Sequence, residues 1–462
     1  MLNDTIAAVS TPRGKGGVAL LRISGTDAIA IAEKVFLPRN GRSLSEQPVR
    51  AAVYGSICTE ENGARQAIDD GIATVFRAPA SFTGEDTVEL CCHGGILLTE
   101  TVLTAILAAG ARPAEAGEFT KRAFLNGKMG LSAAEALGDL LEAKSRDQLL
   151  LAHNGMQGSA ERKCADIYAK LRHILASVYA VIDYPDEDLA EMSREEIVAE
   201  LELCAKELKA LCNTYRTGHA VAEGIRTVIC GRPNVGKSSL YNRILGREAA
   251  IVTDVEGTTR DVLTETATLG RVTLRLCDTA GLHETEDRVE RIGIERAEEE
   301  LEQAELILVV FDASSEPTEE DRALCESLRK SQAARVAILN KSDRGRSAQR
   351  EMIEATFEAI VPISAKTGEG MELLIETVEQ MFIDGTIDLS RDTVLANARQ
   401  HAAAIRALHL VESAAEALRA GLPEDACCTD AELAMEALSE LDGRAVSEDL
   451  VSEIFSHFCV GK

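Results

Sequence analysis

One octapeptide, Gly231-Arg232-Pro233-Asn234-Val235-Gly236-Lys237-Ser238, constrains this chain more than any other stretch. It follows an apolar run, Ile225 to Cys230, that reads as a buried strand, and it opens a segment with helical spacing. A glycine-permitted turn between strand and helix lets consecutive backbone N–H groups surround a phosphate, while the helix N-terminus adds positive potential. Lys237 is then placed to reach β- and γ-phosphates, and the Ser238 hydroxyl to ligate Mg²⁺. The fold that supplies such a turn is a sheet with helices on both faces. Val272 to Cys277, Leu306 to Phe311 and Val336 to Leu339 are further short apolar runs, separated by helical segments, as a parallel doubly wound sheet requires.

Four later motifs, in order, extend the phosphate loop into a nucleotide site. Gly257-Thr258-Thr259-Arg260-Asp261 offers a hydroxyl, assigned to Thr259, that completes Mg²⁺ coordination when a γ-phosphate is present, which makes its loop a switch. Asp278-Thr279-Ala280-Gly281 follows a strand directly, so Asp278 is expected to hold Mg²⁺ through water and the Gly281 N–H to meet the γ-phosphate. Asn340-Lys341-Ser342-Asp343 ends another strand; the Asp343 carboxylate accepts the ring N–H and exocyclic amine of guanine, and adenine would leave it unpaired. Ser364-Ala365-Lys366 closes the set, with the Ala365 N–H directed at the base oxygen. The expected GTP-binding set also includes Ser239 and the segment Thr253-Asp254-Val255-Glu256. The residue after Gly281 is Leu282, which cannot orient a water as glutamine would, so another group must do so; the acidic segment Glu284 to Glu300 offers carboxylates.

The rest of the chain is too long for one domain. At 462 residues it should divide into about two to four. Residues 1 to about 125 alternate short apolar runs with Gly/Pro breaks around one helical stretch near 96 to 109, which reads as an α+β domain. From about 131 the spacing turns helical: Ile167, Leu171, Ile174, Leu175, Val178 and Ile182 form one apolar face, Tyr184-Pro185-Asp186 breaks the helix, and another amphipathic run spans about 194 to 215. Helix returns after about 385. The expected division is 1–125, 126–223, 224–385 and 386–462, a multidomain α/β chain with a P-loop (Ras-like) G domain inserted between two helical parts. The net charge of −27 opposes broad phosphate-backbone binding, so any contact with nucleic acid should be local or made through a partner. The 12 cysteines show no paired C-x-x-C spacing, and neither a leader nor an apolar run long enough to cross a membrane is visible, so the reading is a cytoplasmic chain without membrane insertion. On the motifs alone a ribosome-assembly GTPase switch that binds rRNA is the competing reading, but it would call for a basic RNA-binding appendage that this acidic chain lacks.

The flanks carry a more specific resemblance. Ala19 to Gly25, Ser81-Phe82-Thr83-Gly84-Glu85-Asp86, His93-Gly94-Gly95, Gly117 to Asn126 and the tail Phe458-Cys459-Val460-Gly461-Lys462 are similar to the signatures of the MnmE (TrmE) family of tRNA-modification GTPases, from one end of the chain to the other. The resemblance implies an N-terminal domain that forms a homodimer and binds 5-formyltetrahydrofolate or a related one-carbon tetrahydrofolate, with Arg22, Glu89, Lys128 and Lys462 as contacts. It implies K⁺-stimulated hydrolysis, with Asn234, Thr253, Val255 and Thr258 holding K⁺, and it places the water-orienting carboxylate on Glu290, with Glu286 and Glu295 nearby. It further implies action with an MnmG-type FAD protein on the wobble uridine of certain tRNAs. Cys459 then stands as a modification-site candidate rather than a nucleophile.

Overall fold

The computed structural model describes residues 4–61, 64–183, 192–247, 264–277, 301–344, 353–444, 447–456, 458 and 460–461. The chain divides into two compact units, Met1–Gly138 with Ser439–Lys462, and Asp139–Leu438.

In the first unit, β1 (Ile6–Val9), β2 (Val18–Ser24), β3 (Phe36–Pro38), β4 (Ala52–Glu61), β5 (Ala64–Phe76), β6 (Thr87–His93) and β7 (Arg112–Pro113) form a sheet in the order β3-β4-β5-β6-β2-β1-β7. Helices α1 (Ala28–Val35) and α2 (Ile96–Ala108) share its core. The alternation of β2 is the reason: Ala19, Leu21 and Ile23 are buried in that core with Val88 and Leu90 of β6. Arg22 and Glu89, one residue out of phase, therefore emerge on the opposite face. There the Arg22 guanidinium meets Phe82 and Phe119, the latter from α3 (Glu118–Leu125), which precedes α4 (Leu131–Glu142).

The second unit opens with α5 (Arg146–Met156), α6 (Ser159–Asp183), α7 (Arg194–Asn213) and α8 (Tyr215–Ala222). Ser145 and Ser193 start α5 and α7 through capping boxes, each hydroxyl and a side chain three residues on satisfying otherwise unpaired N–H groups. The apolar stripe of α6 is buried through Val178, but Ile182 in its last turn is 51% exposed. The helix break expected at Tyr184-Pro185-Asp186 lies outside the described residues.

The nucleotide-binding fold follows: β8 (Ile225–Cys230), α9 (Lys237–Arg247), β9 (Thr264–Leu269), β10 (Val272–Cys277), β11 (Leu306–Asp312), α10 (Glu319–Leu328), β12 (Ala334–Asn340), β13 (Ala359–Pro362) and α11 (Met371–Phe382). Sheet order is β13-β12-β11-β8-β10-β9, with apolar clusters on both faces. The sheet departs from the expected all-parallel pattern at its edge, where β9 runs antiparallel to β10. A tight turn at Gly270-Arg271 joins them, and Gly270 takes a φ of +64° that a side chain would resist.

Helix α12 (Ala398–Arg419) packs on α7 through a buried face rich in small residues, Ala403, Ala407 and Ala414 among them. The two helical stretches that flank the G fold thus share one unit. Past α13 (Cys428–Asp442), α14 (Glu448–Ser456) joins the first unit: Phe455 packs with Phe124, Leu131 and Ala134, and Ala116 pairs with Val460. The expected second helical part, 386–462, therefore spans both units.

Candidate nucleotide site and N-terminal site

The phosphate loop emerges at the carboxyl end of β8, where an α/β sheet places its ligands. Two glycines are required by what surrounds them. A Cβ at Gly231 would fall 2.4 Å from the Val310 carbonyl, and one at Gly236 would fall 2.2 Å from Asn340 Nδ2. Asn234 adopts the left-handed region at φ +64°, which asparagine tolerates better than most residues. Val235 is buried beneath the loop, whereas Ser238 and Ser239 stand exposed on the first turn of α9. Lys237 Nζ donates to the carbonyls of Gly231 and Arg232 at 2.8 and 3.0 Å, so its ammonium lies across the loop. Burial pushes its pKa below the usual lysine value, which favours a strong anionic partner.

Motifs far apart in sequence converge on this loop. Asn340 is buried; its Nδ2 donates to the Val235 carbonyl at 2.8 Å and its Oδ1 accepts from the Ala365 N–H at 2.9 Å. One side chain therefore ties the phosphate loop to Ser364-Ala365-Lys366. Lys341, itself at φ +64°, donates from Nζ to the Asn234 carbonyl at 2.9 Å and to Asp312 Oδ2 at 2.6 Å. Although burial opposes it, hydrogen bonds from Lys341 and Ser314 hold the Asp312 carboxyl at about 2. The Ser342 N–H is held by the Ile363 carbonyl, and Asp343 is exposed beside it. Arg243 of α9 donates to the carbonyls of Ala365 and Lys366 at 3.0 and 2.6 Å.

Sequence reading missed Asp312 and Arg243. The available signal for Asp312 was a carboxylate at the end of an apolar strand; Arg243 had none, since an arginine on a helix is ordinary. Thr253, Asp254, Val255, Glu256, Gly257, Thr258, Thr259, Asp278, Thr279, Ala280, Gly281 and Glu290 lie outside the described residues, as do Cys459 and Lys462.

In the first unit, Arg22 and Glu89 are cross-strand partners and pair with each other, Nη2 to Oε1 at 2.8 Å. The Arg22 guanidinium carbon lies 5.2 Å from the Phe82 ring centre and 5.6 Å from that of Phe119. Lys128 Nζ donates to the Pro79 carbonyl at 2.8 Å, and a Cβ at Gly84 would touch the Lys128 chain at 3.4 Å. The loop 79–84 thus borders both the Arg22–Glu89 pair and Lys128. Charged groups of both signs beside aromatic faces suit a ligand with a flat polar ring and an anionic tail.

Among the described residues no helix is long and apolar enough to cross a membrane. The family description "GTP-binding protein TrmE N-terminus" matches residues 5–128, and "MnmE helical domain" matches residues 131–459. The chain is 44% identical over 466 residues to the tRNA modification GTPase MnmE of Symbiobacterium thermophilum, and 40% identical over 463 residues to that of Clostridioides difficile, covering 100% of both chains in each case. Among solved structures, the G domain of the T. maritima FeoB iron transporter is similar over 33% of this chain and 96% of that one, at 25% identity and a TM-score of 0.26. The flanks and the G fold between them are matched together along the whole length, and the chain belongs to the MnmE family of tRNA modification GTPases.

Proposed function

We propose that this GTPase hydrolyses GTP with K⁺ assistance and that the resulting rearrangement serves, with an MnmG-type FAD protein, the addition of an aminomethyl or carboxymethylaminomethyl group to C5 of the wobble uridine of certain tRNAs. The observation that carries this reading is the convergence of Lys237, Asn340, Lys341 and Ala365 on one loop within a chain that matches its family from end to end. Such membership sets aside the ribosome-assembly reading.

In this proposal Lys237 neutralises β- and γ-phosphate charge, Ser238 and Thr259 hold Mg²⁺ with Asp278 behind a water, and Asp343 reads guanine. The exposed amide of Asn234, with Thr253, Val255 and Thr258, holds K⁺, whose charge takes the place of an arginine finger. Glu290 orients the water that Leu282 cannot. Arg22, Glu89, Lys128 and Lys462 receive a one-carbon tetrahydrofolate such as 5-formyltetrahydrofolate, the carboxylate taking ring N–H groups and the cations the glutamate tail. The protein works in the cytoplasm as a homodimer through its N-terminal domain, and its acidic charge leaves much of the tRNA contact to the partner.

GTP turnover in K⁺ against Na⁺, with Glu290→Ala alongside, tests the catalytic half: faster turnover in K⁺ and a strongly impaired variant are expected, and equal rates throughout would reject it. Mass spectrometry of wobble nucleosides from cells lacking the protein tests the pathway, since unchanged uridines would exclude it.

A further inference from the structure

The chain between Thr259 and Asp278 is mostly one hairpin, β9 and β10, so covalent connection makes it the strip that joins the two expected switch motifs. Its far end is gripped from outside the sheet. Arg271 Nε donates to Asp147 Oδ2 of α5 at 2.5 Å, while the Arg271 backbone N–H donates to Glu379 Oε1 of α11 at 2.7 Å. Gln148, next to Asp147, donates from Nε2 to Thr273 Oγ1 at 3.2 Å and to the Ala222 carbonyl at 3.3 Å. Thr273 Oγ1 in turn donates to the Val221 carbonyl at 3.2 Å, at the end of α8.

Gln148 also carries a second duty. Its Oε1 accepts the backbone N–H groups of Lys144 and Ser145 at 2.7 and 3.2 Å, while the Ser145 hydroxyl accepts the Gln148 N–H. The same side chain therefore caps the first turn of a helical-domain helix and holds the hairpin. Asp147 lies in that first turn, where the helix dipole favours a carboxylate. An isolated, partly exposed ion pair contributes little to stability. Several tethers on one short turn have another use, because a displacement of the strip must move α5 or break them. A polar cavity of about 160 Å³, lined in part by Asp139, Glu142, Lys144, Gln148 and Thr266, lies beside the tether and leaves room for movement.

We propose that Asp147 and Gln148 are positioning residues for tRNA modification: they couple the β9–β10 hairpin to α5, so that the nucleotide state of the G fold reaches the helical domain. This rests on the reading that GTP hydrolysis drives modification. The two-state element is the hairpin turn, held or released by α5.

The test uses full-length chains carrying Asp147→Ala, Gln148→Ala or Asp147→Glu, expressed in cells lacking the protein and also purified. Both alanine variants should keep GTP turnover within about twofold of wild type and lower modified wobble uridine about fivefold, the scale expected of a coupling residue that touches neither ligand. The melting midpoint of Asp147→Ala should stay in place, that of Gln148→Ala should fall only by the few degrees that a lost helix cap costs, and Asp147→Glu, which keeps the carboxylate, should retain modification. Wild-type modification in both alanine variants would overturn the inference, as would GTP turnover falling in step with modification, or an Asp147→Glu defect equal to that of Asp147→Ala. If the wild-type chain itself restores no modified uridine, the underlying reading fails instead.

Discussion

Asn340 shows how one buried amide organises a site. Removing it leaves the Val235 carbonyl and the Ala365 N–H without their partner beneath the phosphate loop. Asn340→Ala should therefore weaken guanine-nucleotide affinity about tenfold or more, measured with a fluorescent GDP analogue, because unpaired buried polar groups are costly. His219 is the second residue of this kind. Its Nδ1 lies 3.1 Å from Glu223 and its Nε2 2.9 Å from Glu305, beside Tyr215, which stacks on His401 at 4.0 Å. The carboxylates of Glu223 and then Glu305 push its pKa from 6.5 up to about 9. A raised folded-state pKa stabilises fully below the unfolded value and is lost as pH rises through the folded one. The His219 contribution, about 2 kcal/mol after allowing for partial screening, should be intact below pH 6.5 and fade as pH rises toward 9. Urea unfolding of wild type and His219→Gln across that window should show the two curves converging at the alkaline end.

At the scale of elements, the β9–β10 hairpin is the piece that the apolar-run reading left incomplete. β10 is a plain apolar strand, but β9, Thr-Glu-Thr-Ala-Thr-Leu, places the alternate positions Ala267 and Leu269 in the core, and nothing in its composition shows which way it runs. The turn decides its direction. A Cβ at Gly270 would fall 2.1 Å from Glu379 Oε1, and φ is positive there. Gly270→Ala should accordingly destabilise the G fold by about 1–2 kcal/mol, visible as an earlier melting transition that bound GDP partly restores. Other elements were legible: the strand-turn-helix of the phosphate loop, α2, and the stripe of α6 as far as Val178, since each is written in local periodicity.

At the scale of the molecule, the chain's end helps to build the unit that contains its beginning. Phe455 is 1% exposed and packs with Phe124 and Phe458, the Ser10 hydroxyl donates to the Gly461 carbonyl, and a Cβ at Gly117 would fall 2.5 Å from the Phe455 carbonyl. Phe455→Ala should cost this unit about 3–4 kcal/mol in denaturant unfolding while leaving nucleotide affinity of the G fold unchanged. A loss of nucleotide binding in step with unfolding would show that the two units do not respond independently. Such a closure is invisible to periodicity, because α14 reads as one more amphipathic helix whichever unit it joins.

The sequence by itself determined the chemistry that depends on neighbours along the chain: a glycine turn between strand and helix, a lysine and serine at fixed steps from it, and a carboxylate after a strand. Backbone geometry ties those residues together over a few positions, so their order is enough. Only the tertiary structure decided that Arg22 pairs with Glu89, that Asn340 joins Val235 to Ala365, that Asp147 holds Arg271, and that Phe455 closes on Phe124. Each of these partners is chosen by packing between segments tens to hundreds of positions apart, where many other carboxylates, amides and apolar side chains of the same type compete for the same role.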